Sequence, residues 1–190
     1  MMDDRTYGIG ELAADLRRIR GESRDEREIL SRVRPLARRV AANKALWLTD
    51  RMCEADAEQG FGVHVLHEEP DHTLAIFAVS WLPDRGTPPH DHGTWAVVVG
   101  VDGPEKNEFW ERTDDRRRPG YAELKKVGEK LFDAEEVLAM PAGTIHSVWN
   151  DTDRITVSLH IYGKHVNYTG RSHFDPDQRT ETTYQLKIQA

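Results

Sequence analysis

One cysteine, Cys53, stands in 190 residues, so an intrachain disulfide framework is excluded, which suits a reducing compartment and makes a cytoplasmic location the expectation. Long apolar runs are absent too: nothing approaches the ~18 residues of a membrane-spanning helix, and the opening MMDDRTYGIG is polar and acidic where a secretory leader would be apolar. Nor is there an excess of positive charge. Lys and Arg total 26 against 33 Asp and Glu, a formal net charge of -7, which argues against a nucleic-acid partner even though Arg116, Arg117 and Arg118 form a basic triplet, read as a solvated loop. Internal repeats and low-complexity segments are also missing. The remainder is a chain long enough for one soluble domain with a sizeable core.

Two patterns divide it. In residues 1–60, Ile9, Leu12, Ala13, Leu16 and Ile19 recur at helical spacing, and after a break at Gly21-Glu22-Ser23 so do Ile29, Leu30, Val33, Leu36, Ala37 and Val40, with Pro35 expected to kink or restart the second helix. A third short helical piece is expected over Ala45 to Met52. From Phe61 the pattern turns to strands, with turn signals such as Pro83-Asp84-Arg85-Gly86, Asp102-Gly103-Pro104, Pro119-Gly120, Pro141-Ala142-Gly143 and Asn150-Asp151. The segments between them, among them Thr94 to Val101, Asn107 to Arg112, Tyr121 to Val127 and Arg154 to Tyr162, have strand length. Many short strands with regular turns predict an all-β barrel or sandwich over residues 61–190, under an N-terminal helical layer in the same domain. Its regular part ends near Phe174, and in the polar tail Tyr184, Leu186 and Ile188 could add an edge strand.

The residues that carry chemistry are His90-Asp91-His92 and, after a Pro-x-Gly turn, His146. On a strand the period of two puts His90 and His92 on one face and Asp91 on the other, where it serves as hydrogen-bonding support. With His146 they make three neutral nitrogen ligands on one side of a divalent ion, an arrangement that leaves open positions for substrate. Ser158-Leu159-His160-Ile161-Tyr162 alternates three polar groups with two apolar ones, so that Ser158, His160 and Tyr162 share a face. Trp95 and Trp149 are placed as cavity walls or core, and His67, His72, His165 and His173 as structural or exposed. Cys53 reads as a buried small residue.

Gly86 through Gly103 and Pro141 through Asn150 resemble the two motifs of the cupin superfamily, the second through Pro141, Gly143, His146 and Asn150. The resemblance implies a double-stranded β-helix, or jelly roll. It also implies a glutamate ligand four or five residues after the second histidine, where this chain has Ala96 and Val97. Three imidazoles leave the full charge of the metal uncompensated, which favours a thiolate ligand. This variant is similar to the thiol dioxygenases of the cysteine dioxygenase family, which implies Fe(II), O2 and a small thiol as partners and a Ser158, His160, Tyr162 relay. Cysteine-specific members hold the substrate carboxylate with an early arginine, yet none occurs between Met52 and Asp84; His64 or a neighbour stands there. The mercaptopropionate-type members use an arginine beyond the relay tyrosine, which matches Arg171, and commonly an early-strand glutamine, which residues 60 to 80 lack. The cysteine that cross-links to the relay tyrosine in animal enzymes would fall near Val97. The implied reaction is oxidation of a thiol carboxylate, 3-mercaptopropionate first, to its sulfinate. The alternatives are a cysteine or mercaptosuccinate dioxygenase, a cupin dioxygenase or isomerase of a non-thiol acid with another metal, and a non-catalytic sensor.

Overall fold

In the computed structural model, which describes residues 6–189, helix α1 spans Ile9–Glu22 and α2 spans Glu26–Ala42. The first five residues of the polar start lie outside the described residues. Both helices bury the stripe their periodicity announces: Leu12, Leu16 and Ile19 on α1, Ile29, Val33, Ala37 and Val40 on α2. Asp25 caps α2, its Oδ1 accepting from the amides of Arg27 and Glu28. Contrary to expectation α2 runs through Pro35 without a restart. Its apolar stripe is anchored on both sides of the proline, Val33 and Ala37 being fully buried, and that packing outweighs one lost backbone hydrogen bond. The expected third helix is two separate 3-10 turns, Lys44–Leu46 and Asp50–Cys53. Between them the chain bends so that Trp47 enters the core and donates its Nε1 proton to the carbonyl of Val40 (3.0 Å). Cys53 is only half-buried.

Eleven strands follow: β1 Phe61–Glu68, β2 Ala75–Trp81, β3 Arg85–His90, β4 Ala96–Asp102, β5 Glu105–Arg112, β6 Leu124–Phe132, β7 Val137–Met140, β8 Ile145–Asn150, β9 Thr156–Tyr162, β10 Ser172–Asp175 and β11 Thr180–Thr183. They form two antiparallel sheets, in the orders β1-β2-β9-β4-β7 and β11-β10-β3-β8-β5-β6. From β2 to β10 the chain crosses from one sheet to the other at every connection except the β5–β6 hairpin. This is a mostly-β jelly roll. The strand expected over Tyr121 to Val127 lies further on, as β6. Its start is delayed because Arg112 and Asp114 (2.7 Å) pin the loop, and Asp114 also accepts from the amides of Arg116 and Glu123. Arg116, Arg117 and Arg118 are exposed, as read from the sequence.

The five-stranded sheet is buried on both faces. Ile76, Ala78, Val97, Val99, Leu159 and Ile161 pack against the two helices, whereas Phe77, Val79, Trp81, Ala96, Val98 and Tyr162 point to the second sheet. The alternation decides the function of β9, because it sends Ser158, His160 and Tyr162 into the space between the sheets. Beyond β11 the tail closes one end: Leu186 and Ile188 pack on the inter-sheet cluster, and the amide of Gln189 donates to Val63 (2.9 Å). The expected edge strand therefore forms earlier, and Tyr184 is left free to do something else. No helix among the described residues is long and apolar enough to cross a membrane.

Candidate metal centre

His90 ends β3 and pairs with His146 of β8 across the second sheet, after a register shift over Pro88 and Pro89, neither of which has an amide proton for the ladder. His92 is not on the strand, contrary to the period-two reading. It is held from behind. The amide of Asp91 donates to the carbonyl of Ser172 (3.1 Å) and Asp91 Oδ1 accepts from the amide of Ser172 (2.9 Å), so Asp91 faces β10 and its two neighbours face inward. Gly93, at φ 62°, then turns the chain away; a side chain there would run into Thr169.

His90 donates Nδ1–H to the carbonyl of Pro88 (2.9 Å) and His146 donates Nδ1–H to Asn107 Oδ1 (2.7 Å). Both rings thereby present an unprotonated Nε2. The Nε2 atoms of His92 and His146 lie 3.3 Å apart, and the ligand atoms of all three histidines lie within 4.8 Å of one another. Two nitrogens each ~2.0–2.1 Å from a shared ion are separated by about this distance. All three rings are buried. Burial first, then for His90 and His92 the neighbouring histidines, and for all three the positive charge of Arg171, lowers their affinity for protons, the pKa of His146 falling to about 3, so the neutral, ligating form persists at any ordinary pH. The donor set fits a divalent metal, and among the described residues no carboxylate joins the cluster. Ala96, where a cupin glutamate would stand, is fully buried on the inward face of β4 opposite Tyr162.

The relay residues are hydrogen-bonded in series. His160 Nδ1 lies 2.8 Å from the Tyr162 hydroxyl and its Nε2 2.9 Å from Ser158 Oγ. Tyr162 reaches the histidines, with its ring centroid 5.1 Å from that of His92. Burial, before any other cause, keeps the phenol protonated and lowers the pKa of His160 to about 3.

Arg171 joins the same space. It is 3% exposed, its charge depresses the basicity of His90, His92, His146 and His160, and its Nε has no hydrogen-bond partner. Its guanidinium lies 5.1 Å from the Tyr184 ring, a tail residue that the sequence did not mark as part of a site. No carboxylate forms an ion pair with Arg171 among the described residues, and burial lowers its pKa. A buried guanidinium without an acceptor is a place for an anion.

Other residues named from the sequence stand away from the metal centre. Trp95 packs on the helix side of the sheet and Trp149 is 43% exposed on the outer face, so neither walls the site. His64 pairs with Ala78, whose side chain faces the helices, and its ring donates to the carbonyl of Glu54 (2.9 Å), away from the metal centre. His165 is buried and packs edge-on against Phe77. His67 pairs with Glu69, His72 stacks on Tyr168 and His173 stacks on Tyr184. Glu105 and Asn107, both buried, were missed. Their signal was the alternation Glu-Lys-Asn-Glu at the start of β5, which in sequence looks like a solvated strand. The large surface depressions, about 530 Å³ between α2 and β7 and 540 Å³ on the outer face of β5 and β8, lie outside the inter-sheet space.

No protein-family model and no curated protein matches the chain. Solved structures do. An oxalate oxidase in complex with the substrate analogue glycolate is 15% identical with a TM-score of 0.47, covering 65% of this chain and 61% of that one. A protein with a double-stranded β-helix domain from Klebsiella pneumoniae is 9% identical (TM-score 0.46, 67% and 96% covered), and a cupin superfamily protein from Desulfitobacterium hafniense 18% identical (TM-score 0.41, 57% and 81% covered). The match to the oxalate oxidase thus spans less than two thirds of that chain, and at these values none of the three assigns a function.

Proposed function

We propose that the protein is a non-haem iron thiol dioxygenase of the cupin type that converts a small thiol carboxylate, 3-mercaptopropionate first, to its sulfinate: R–SH + O2 → R–SO2H, with every atom retained and no external reductant. The observation that carries this reading is the buried guanidinium of Arg171, whose Nε has no acceptor among the described residues, beside an all-imidazole ligand set that feels its charge. His90, His92 and His146 would hold Fe(II), which when bound supplies positions for a thiolate and O2 and the electrons that activate oxygen. Arg171 would take the carboxylate through a charge-assisted pair, fixing how far the sulfur reaches. Tyr162 would place its hydroxyl beside the reacting atoms, with His160 behind it to take or return the proton. Because Asp91 is bonded to Ser172 and Glu105 to Ser158, neither of these carboxyls waits free for an ammonium group. That favours 3-mercaptopropionate over cysteine.

The test is an oxygen-uptake panel on Fe(II)-loaded protein with 3-mercaptopropionate, cysteine, mercaptosuccinate and a non-thiol acid such as oxalate. Uptake fastest with 3-mercaptopropionate is expected. Uptake with a non-thiol acid alone would replace this reading with that of another cupin oxidase, and binding without turnover of any of them would replace it with a sensor.

A further inference from the structure

The hydrogen-bond series does not stop at Ser158. Ser158 Oγ lies 2.6 Å from Glu105 Oε2, and Trp81 donates its Nε1 proton to the same Oγ (3.0 Å). On its other oxygen Glu105 accepts from Asn107 Nδ2 (2.8 Å), whose Oδ1 accepts from His146. One buried carboxyl therefore joins the back of a metal ligand to the back of the relay tyrosine. No cation among the described residues pairs with it. β9 faces it with Ser158 and His160, Tyr162 standing further along; β2 offers Trp81; β8 offers His146 through Asn107. Lys130 of β6 lies over the Phe132 ring and is bonded to Glu136, and Lys106 of β5 turns to Asp151.

At 2.6 Å one proton must lie between the two oxygens of Ser158 and Glu105. Where it comes from dictates every hydrogen bond downstream. If Glu105 is ionised, Ser158 spends its only proton on the carboxylate and accepts from Trp81 and from His160. The imidazole is then the Nε2–H tautomer, its Nδ1 accepts, and Tyr162 must donate its hydroxyl proton to His160, which leaves only a lone pair toward the metal centre. If Glu105 is protonated, it donates to Ser158, Ser158 donates to His160 Nε2, His160 donates Nδ1–H to Tyr162, and the tyrosine proton is released toward the metal centre.

We infer that Glu105 is a positioning residue whose proton sets the direction of the Ser158–His160–Tyr162 chain, and so decides whether Tyr162 meets its ligand as a donor or as an acceptor. The inference deepens the proposed dioxygenase reading, in which that choice governs oxygen chemistry, but the wiring holds whatever the substrate. Burial raises the pKa of Glu105, and the polar groups of Ser158, Asn107 and Trp81 around it oppose the rise. His160, with a pKa lowered by burial to about 3, stays neutral throughout and reports only its tautomer.

The tautomer of His160 can be read in the 15N-histidine spectrum of the full metal-free chain, with its signals assigned through His160→Gln. The wild type should pass from Nδ1–H in acid to Nε2–H in alkali. Glu105→Gln, whose amide must donate to Ser158 because its oxygen is taken by Asn107, should show Nδ1–H at every pH. Should that variant not fold, Ser158→Ala replaces it: the pH step of His160 should vanish. A wild-type tautomer that never changes while the protein is folded, or a variant that keeps the wild-type step, would overturn the inference. Neither readout depends on thiol turnover, so failure of the dioxygenase reading would leave the result standing.

Discussion

At the scale of single residues, Arg171 and Tyr162 would divide, in the proposed dioxygenase, the work of holding a substrate and handling its proton. A charge-assisted hydrogen bond contributes about 1.5–3 kcal/mol, so Arg171→Ala should raise KM for 3-mercaptopropionate roughly 10- to 100-fold. Cysteamine, which has no carboxylate, should be nearly indifferent, and steady-state kinetics on both thiols checks it. Equal losses would remove Arg171 from the pocket. Tyr162→Phe keeps the ring against Phe77, 5.6 Å between centroids, and takes away only the hydroxyl. It should lower kcat on the order of 10²-fold with little change in KM, while thermal unfolding of the variant stays within a degree or two of the wild type. The metal ligands were legible because each lies in a short motif whose spacing is itself the signal. Arg171 could be named only through a resemblance, since a lone arginine in a loop carries no pattern; its burial without an acceptor is a property of the folded chain.

Elements explain why the rest stayed hidden. On β9 polar and apolar residues alternate because one face meets helices and the other meets the site, so Ser158, His160 and Tyr162 could be read directly. The first four residues of β1 are all buried, and a strand covered on both faces has no alternation to read, so the side that His64 faces was not legible in the sequence. On β5 the inward residues are Glu105 and Asn107, and the outward ones Lys106 and Glu108. Four polar residues in a row look solvated whichever face is buried. Yet Asn107 fixes the Nδ1–H tautomer of His146, and second-layer partners of this kind typically account for 10–100-fold in metal affinity. Asn107→Ala should therefore weaken metal binding by roughly that factor, measured by competition with a chelator. Unchanged affinity in Asn107→Ala would detach β5 from the metal centre.

Across the whole molecule the space between the two sheets buries the imidazoles of His90, His92, His146 and His160 and holds them in their neutral forms. The folded state binds His160 unprotonated, with a pKa of about 3 against about 6.5 in an unfolded chain. A group whose folded pKa is depressed contributes stability that is fully present above the unfolded value and is lost as pH falls from there toward the folded one. Metal-free protein should accordingly lose melting temperature as pH drops below about 6.5. His160→Gln should make that decline shallower, as calorimetry at a series of pH values would show; an identical slope would mean that His160 is charged in the native state. The same burial leaves Arg171 ready for an anion and keeps the imidazoles available for a metal. Oxidation with 18O2 is the most direct trial of the thiol chemistry: Fe(II)-loaded protein given 3-mercaptopropionate should yield a sulfinate carrying both labelled oxygen atoms. Disulfide as the sole product, or a sulfinate with an oxygen from water, would contradict it.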